Sequence, residues 1–390
     1  MKILGIETSC DETAISYIET DGITVQVLGN SVNSQADLHT PYGGVFPTLA
    51  KREHSKNIVA TFILAMKPFV TKNETSLVTD EQLKTLTVLL GKEPELLEAF
   101  LSHITKIEKP DIDLIGVTEG PGLEPALWVG INFARALNII WNIPVVPINH
   151  MEGHILVSLL KKESADTYSI IEPNFPSLSL LVSGGHTEMV LSRELGSYNI
   201  IGKTRDDAVG ECFDKTARVL GLPYPGGPKI SSLAQEAREK NIVPPEKLPR
   251  PMIHSKDFDF SFSGLKTAVL YLTQRLGVID ENTQKGIARE IEDAIVETVA
   301  TKAENAIDAF GVQSLVVGGG VIANTLLRTT LTKTAENRGI PIHLPEIHNS
   351  TDNALMIAVA TWFAKERHID RSPKAQGNLS VENVLLDAIQ

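Results

Sequence analysis

KILGIETSCDETAISYIETDGITVQVL, residues 2–28, is the stretch on which the fold turns. Lys2–Glu7 alternates apolar side chains and stops at a polar loop, Thr8–Thr13; Ala14–Glu19 and Thr24–Leu28 follow as two more strands of a meander. The same grammar returns in LSLLVSGGHTEMVLSRELGSYNIIG, residues 178–202. Leu178–Val182 is apolar, Ser183-Gly184-Gly185-His186-Thr187 turns, Glu188–Ser192 runs back, and Tyr198–Gly202 completes the trio. Each trio is followed by helical periodicity and then by a buried strand closed with glycine. Ile112–Val117 runs into Glu119-Gly120-Pro121-Gly122, and Ser314–Val317 into Gly318-Gly319-Gly320. One supersecondary plan is used twice.

Two lobes of this kind predict an α/β chain with the two-lobed actin-like ATPase (ASKHA) fold: a duplicated β-meander, helix-backed parallel strands and an interlobe cleft. Two unrelated α/β domains would also satisfy the pattern. The expected division is 1–146 for lobe I, 147–354 for lobe II with the metal and nucleotide motifs, and 355–390 for a C-terminal helix and tail packing back on lobe I. Thr71–Lys109 falls outside the plan. It is polar and helix-prone, with Gly91 as its one glycine, and reads as an inserted helical pair or a flexible excursion.

Composition narrows the function classes. The chain has 390 residues, 42% of them hydrophobic and 22% charged, enough for a sizeable core. Nothing approaches the roughly 18 consecutive apolar residues of a membrane span. The net charge of −12 opposes indiscriminate attraction to nucleic-acid phosphate and leaves room for a local basic patch. Two cysteines, Cys10 and Cys212, are too few for a disulfide scaffold and fit a reducing compartment.

His150-Met151-Glu152-Gly153-His154 follows a strand-like run, Pro144–Ile148, and opens a helical pattern through Leu160. Histidines at i and i+4 share one helical face, so both imidazoles can converge on one ion. A His-Glu-x-x-His protease needs Glu where Met151 stands, and Glu152 lies about 200° around the helix from His150, so that reading fails. Asp352, before a helix expected at Ala354–Lys365, either caps it or supplies a third ligand. Two His and one Asp suit iron, zinc or manganese as a Lewis acid.

The turn at 183–187 can close backbone N–H groups on a phosphate, or be a plain hairpin. The strand, triple glycine and helix of residues 314–325 form a stronger anion or nucleotide site, with Asn324 in reach of a base or ribose. No Gly-Lys-Ser/Thr follows, so this is not a P-loop. Asp206, Asp207, Glu211 and Asp214 could hold Mg²⁺ or line a solvated face. Tyr224–Pro228 is a rigid turn in which glycine lets backbone approach a ligand. Phe258–Lys266 alternates as a strand with one buried face, and Lys247, Arg250, His254 and Lys256 form a basic strip.

ILGIETSCDET, YGGVFPTLAKREH, HMEGH, LVSGGHTE, DDAVGECFDKTARVLGLPYPGGP, FSFSGLKTAV, GGGVIANTLLR and STDNALMIA occur here in the order of the TsaD family, which this chain resembles. Those proteins are tRNA N6-threonylcarbamoyladenosine transferases. The resemblance implies the actin-like fold and transfer of a threonylcarbamoyl group from threonylcarbamoyladenylate to N6 of adenosine 37 in tRNAs reading ANN codons, with release of AMP. It implies His150, His154 and Asp352 as ligands of one divalent ion per subunit, iron or zinc. It implies Leu181, Val182, Ser183, Gly184, Gly185, Asp214, Gly227, Ser231 and Asn324 as adenylate contacts. Asp11 and Glu12 resemble acidic residues near the reacting group.

The insertion, with HMEGH and the PGGP turn, resembles the mitochondrial branch lacking its presequence, a self-sufficient homodimer; a bacterial cytoplasmic enzyme is the alternative. The expected partners are tRNA and a separate enzyme that makes threonylcarbamoyladenylate, with no membrane. For tRNA the local candidates are Lys51 and Arg52, and Lys247, Arg250 and Lys256. The competing functions are an actin-like ATPase or small-molecule kinase, and a nucleotide-binding scaffold.

Overall fold

The computed structural model describes residues 1–368 and 371–384. The opening alternation becomes β1 (Lys2–Glu7), followed antiparallel by β2 (Glu12–Thr20) and β3 (Thr24–Ser34), all longer than or equal to their expected lengths. After a single helical turn, α1 (Ala36–His39), comes α2 (Pro47–Met66), whose Ile58, Phe62 and Ala65 are buried at helical spacing. The insertion is a packed helical pair, α3 (Asp80–Leu90) and α4 (Pro94–His103), not an excursion. A capping box at Thr79 and Gln82 starts α3, and Leu86, Leu90, Leu96 and Phe100 are fully buried. Then come β4 (Leu114–Gly120), α5 (Glu124–Trp141), β5 (Val145–Asn149) and α6 (His150–Val157).

The helical pattern expected through Leu160 stops early. Residues 160–170 instead form a small hairpin, β6 (Leu160–Lys162) and β7 (Thr167–Ile170), which lengthens the sheet beyond β3. The first sheet therefore runs β5-β4-β1-β2-β3-β7-β6. This hairpin explains why the division between compact units falls at 172/173 and not at 146/147: pairing to β3 and β4 ties residues 145–170 to unit 1. Unit 1 comprises residues 1–37, 45–172 and 352–390; unit 2 comprises 38–44 and 173–351.

Unit 2 repeats the plan. β8 (Ser177–Val182), β9 (Thr187–Glu194) and β10 (Ser197–Lys203) form the meander. α7 (Val209–Val219), α8 (Gly226–Glu239), α9 (Ser263–Leu276) and α10 (Glu281–Phe310) precede β11 (Ser314–Gly318), α11 (Thr325–Arg338) and β12 (Ile342–His343). Its order, β10-β9-β8-β11-β12, matches β3-β2-β1-β4-β5 strand for strand, antiparallel in the meander and parallel beyond it. This duplicated topology is the actin-like fold. α10 is the core of unit 2: Ile287, Ile291, Ile295, Val299 and Ala303 recur every four residues and are all buried.

Phe258–Lys266 is not a strand. Phe260 makes one bridge to Thr204, both Phe260 and Phe262 are buried in the core, and α9 starts at Ser263. Alternation reported burial correctly, but Asp206 takes the N–H groups of Phe262 and Ser263 and ends any ladder there.

The last helix, α12 (Ala354–His368), belongs to unit 1, where it lies across β1, β2, β4 and β5. Its ALMIAVA segment is buried all round, as expected of a helix without a polar face. The expected tail beyond it falls partly outside the described residues. Close approach depends on glycine: a Cβ on Gly5 would stand 2.3 Å from the Ala354 carbonyl oxygen, and one on Gly116 1.7 Å from Thr361 Oγ1. Gly5→Ala should cost about 1–3 kcal/mol by overpacking, read as a lower urea midpoint. Gly185→Ala, whose added carbon meets nothing within 4 Å, should stay within about 0.5 kcal/mol of the parent.

Candidate functional site

In unit 1, β5 ends at Asn149, whose side-chain oxygen accepts the N–H groups of Met151 (2.9 Å) and Glu152 (3.3 Å) and so starts α6 at His150. One turn on, His154 brings its ring 4.7 Å from that of His150 and perpendicular to it. Asp352 is not the cap of α12. Asn353 does that work, accepting Met356 N–H at 3.0 Å, and leaves the Asp352 carboxylate free to face the histidines. Asp352 Oδ1 is 3.1 Å from His154 Nε2 and 3.4 Å from His150 Nε2.

Donors about 2.1 Å from one ion stand about 3.0–3.4 Å apart at octahedral or tetrahedral angles, and the two carboxylate–imidazole spacings fall in that range. The three ligand atoms lie within 4.8 Å of one another, and no other such group exists among the described residues. Burial opposes ionisation of Asp352, but the facing His150 and then His154 outweigh it and hold the carboxyl well below its usual range. Burial likewise works against the His150 cation, while Asp352 and Glu7 raise it well above an ordinary imidazole.

Behind His150 stands Glu7, fully buried at the end of β1. Glu7 Oε2 lies 3.1 Å from His150 Nδ1 and accepts the Thr118 hydroxyl at 2.6 Å, while Oε1 accepts Ser9 N–H. A carboxylate on Nδ1 leaves Nε2 pointing toward Asp352, the arrangement usual behind an imidazole that holds a metal. The adjoining CDET turn is pinned by His54, also fully buried. Gln35 Nε2 can only donate to His54 Nδ1, so His54 Nε2–H donates to the Cys10 carbonyl at 3.0 Å. Glu12 has its carboxyl pushed well up by burial, by Asp352 and by Asp11. Burial, with Asp11, Asp352 and Glu12, also pushes the Cys10 thiol up and keeps it from acting as a thiolate. Glu7 and His54 sit inside the quoted motifs, but nothing in their spacing marks them as partners of His150 and Cys10.

In unit 2 the two glycine turns meet. A Cβ on Gly319 (φ +93°) would stand 2.5 Å from the Val182 carbonyl oxygen. Leu181 and Val182 are fully buried strand residues and have only backbone to offer, whereas the Cβ positions of Gly184 and Gly185 are open. Asp214 accepts the Gly226 N–H at 2.6 Å and so holds the start of α8. It also lines a cavity of about 360 Å³ with Thr40, Tyr42, Arg218, Leu222 and Tyr224. Gly227 has room above Phe213, the nearest atom to an added Cβ being 3.8 Å away. Ser231 and Asn324, 93 residues apart, hydrogen-bond each other at 2.7 Å over the buried Glu292.

The Mg²⁺ reading of the acidic segment fails, because its carboxylates are committed to other groups and do not converge. Asp206 serves the start of α9, Asp207 and Glu211 both pair with Lys215, and Asp214 holds Gly226. The basic strip loses a member too. Arg250, its side chain 10% exposed, is committed to Glu290 and Glu297. Lys247 and Lys256 are exposed; Lys51 pairs with Glu93 and Arg52 with Glu53.

A family model, TsaD: tRNA N6-adenosine threonylcarbamoyltransferase, matches residues 26–74 and 94–359, breaking over α3. Two bacterial proteins named tRNA N6-adenosine threonylcarbamoyltransferase are similar to the chain. The one from Chromobacterium violaceum is 41% identical over 364 residues, 92% of each chain. The one from Paraburkholderia xenovorans is 40% identical over 376 residues, 96% of this chain and 95% of its own.

Two measurements test this geometry. Asp352→Ala should lose stoichiometric metal after dialysis, and Glu7→Gln should weaken metal affinity by about 10–100-fold while circular dichroism stays native. Parent-like metal content in Asp352→Ala would dismiss the centre. For Asp206, burial raises the carboxyl, but the Ser261 and Ser263 hydroxyls and the two backbone amides outweigh it and set it below its usual value. Its stabilisation is therefore complete above the unfolded pKa of about 3.9 and fades as pH falls through the lower folded one. Asp206→Ala should cost about 1 kcal/mol at neutral pH, and its urea midpoint should fall less than the parent's on acidification.

Proposed function

Because the chain belongs to the TsaD family and is a transferase, we propose that it passes threonylcarbamoyl from threonylcarbamoyladenylate to N6 of adenosine 37 in ANN-reading tRNAs, forming t6A and releasing AMP. The observation that carries this reading is the convergence of His150, His154 and Asp352 in one buried cluster. A kinase or ATPase of this fold needs an acidic Mg²⁺ site and no imidazoles, and the acidic segment offers none.

The chemistry asks mainly for positioning. N6 of adenine is a weak nucleophile, but a mixed carbamic–phosphoric anhydride carries a good leaving group. When bound by His150, His154 and Asp352, a divalent metal, iron or zinc, supplies Lewis-acid withdrawal of charge from the oxygens of that anhydride. Glu7 keeps His150 in the orientation that serves this. The open backbone at Gly184 and Gly185 receives the adenylate phosphate, with Asp214, Gly227, Ser231 and Asn324 holding the nucleoside. The N6 proton goes to the Asp11–Glu12 pair.

For tRNA, the exposed Lys247 and Lys256 of unit 2 are the candidates left unpaired among the described residues. Lys51 and Arg52 of unit 1 pair with Glu93 and Glu53, and Arg250 is spent inside unit 2. Both reported relatives are bacterial, which favours a bacterial cytoplasm over the mitochondrion. The donor then comes from a separate synthesising enzyme, and the chain works as a pair of identical copies.

The test incubates the purified chain with threonylcarbamoyladenylate and tRNA, digests the RNA and measures nucleosides by mass spectrometry. t6A and AMP should appear in equal amounts, and His150→Ala should lower both more than about tenfold. Full t6A formation by His150→Ala would end the metal-assisted reading; ATP hydrolysis without t6A would favour the ATPase.

A further inference from the structure

Glu292, on α10, is 2% exposed, yet it touches both residues proposed to hold the nucleoside. Asn324 caps α11: its Oδ1 accepts the Leu327 N–H at 2.8 Å. A backbone N–H can only donate, so the amide's orientation is settled and Nδ2 faces the other way. Nδ2 lies 2.7 Å from Ser231 Oγ and 2.6 Å from Glu292 Oε1. Ser231 Oγ is itself 2.7 Å from Glu292 Oε1. The second carboxylate oxygen is held by Arg238.

The Ser231 hydroxyl has a single proton and two neighbours in this triangle. One neighbour, Asn324 Nδ2, only donates; the other, a carboxylate paired with Arg238, only accepts. The proton is therefore bound to Glu292, and Ser231 keeps one outward lone pair, strengthened by the charge behind it. Ser231 and Asn324 are both half-buried, so that lone pair can meet a ligand.

We infer that Glu292 is a positioning residue that turns Ser231 into a hydrogen-bond acceptor, so the unit 2 site selects a nucleotide that brings a donor to it. The donor is a ribose hydroxyl or the exocyclic amine of the base. The inference rests on the proposed nucleotide site and adds its polarity. Glu292→Gln reverses that polarity. Arg238 only donates, so the glutamine carbonyl turns to Arg238 and its NH₂ to Ser231, whose proton is then released outward.

Calorimetry on the full chain with AMP, 2′-deoxy-AMP, 3′-deoxy-AMP and IMP tests this. The parent should bind one analogue about five- to tenfold more weakly than AMP, the effect of one lost hydrogen bond. A deoxy analogue would assign the donor to the sugar, and IMP would assign it to the base. If the donor is the base amine, Glu292→Gln should lose the preference for AMP over IMP; a ribose hydroxyl can instead accept the Ser231 proton released outward, and Ser231→Ala then decides the matter. Ser231→Ala should lose the same discrimination while keeping the Arg238 pair, and it decides the matter if the glutamine variant fails to fold. Discrimination retained in Ser231→Ala, or four equal affinities in the parent with AMP still bound, would overturn the inference alone. No AMP binding by the folded parent would remove the nucleotide site and the inference with it.

Discussion

Two missing side chains govern unit 1. Gly5 on β1 and Gly116 on β4 let α12 lie directly on the sheet, with the Ala354 carbonyl and Thr361 occupying the space that a Cβ would need. That contact fixes where α12 begins, and with it where Asp352 stands. His154 and Asp352 are 198 residues apart in the chain and 3.1 Å apart in space. Moving α12 away by even the radius of a methyl group would take the carboxylate out of reach of one or both imidazoles.

Caps decide which side chains are left over for chemistry. Asn149 starts the helix carrying the histidines, and Asn353 starts α12, so neither His150 nor Asp352 spends its polar atoms on a helix end. Asp206 shows the opposite outcome: its carboxylate is consumed by the start of α9. A row of acidic residues that could pass for a cation site is mostly structural bonding. Arg250 follows the same rule, since a cation with two carboxylates already bound has little left for a phosphate.

Buried carboxylates stand behind the groups proposed for chemistry. Glu7 orients His150, and Glu292 sets the proton of Ser231. Each is nearly without solvent, where one hydrogen bond is electrostatically stronger than in water and a misplaced one is costly. The chain commits these groups to holding polarity, and the residues in front of them inherit it.

The duplicated meander was legible in residues 2–28 and 178–202, because a period of two and its glycine stops are local properties of the chain. So was the helix at Ala354, and the His150–His154 pair, whose spacing alone puts both rings on one face. The FDFSFS alternation reported the burial of Phe260 and Phe262 but not their conformation, since burial and strand pairing coincide only when a neighbour completes the ladder. The hairpin at residues 160–170 was hidden because its pairing is to β3, more than a hundred residues upstream. Sequence alone determined what local periodicity and turn chemistry encode: the order of elements and the residue types available. Tertiary structure decided which polar groups were spent and which were free, because a hydrogen bond or an ion pair depends on distance in space, and folding brings residues 7, 150 and 352 together irrespective of their separation along the chain.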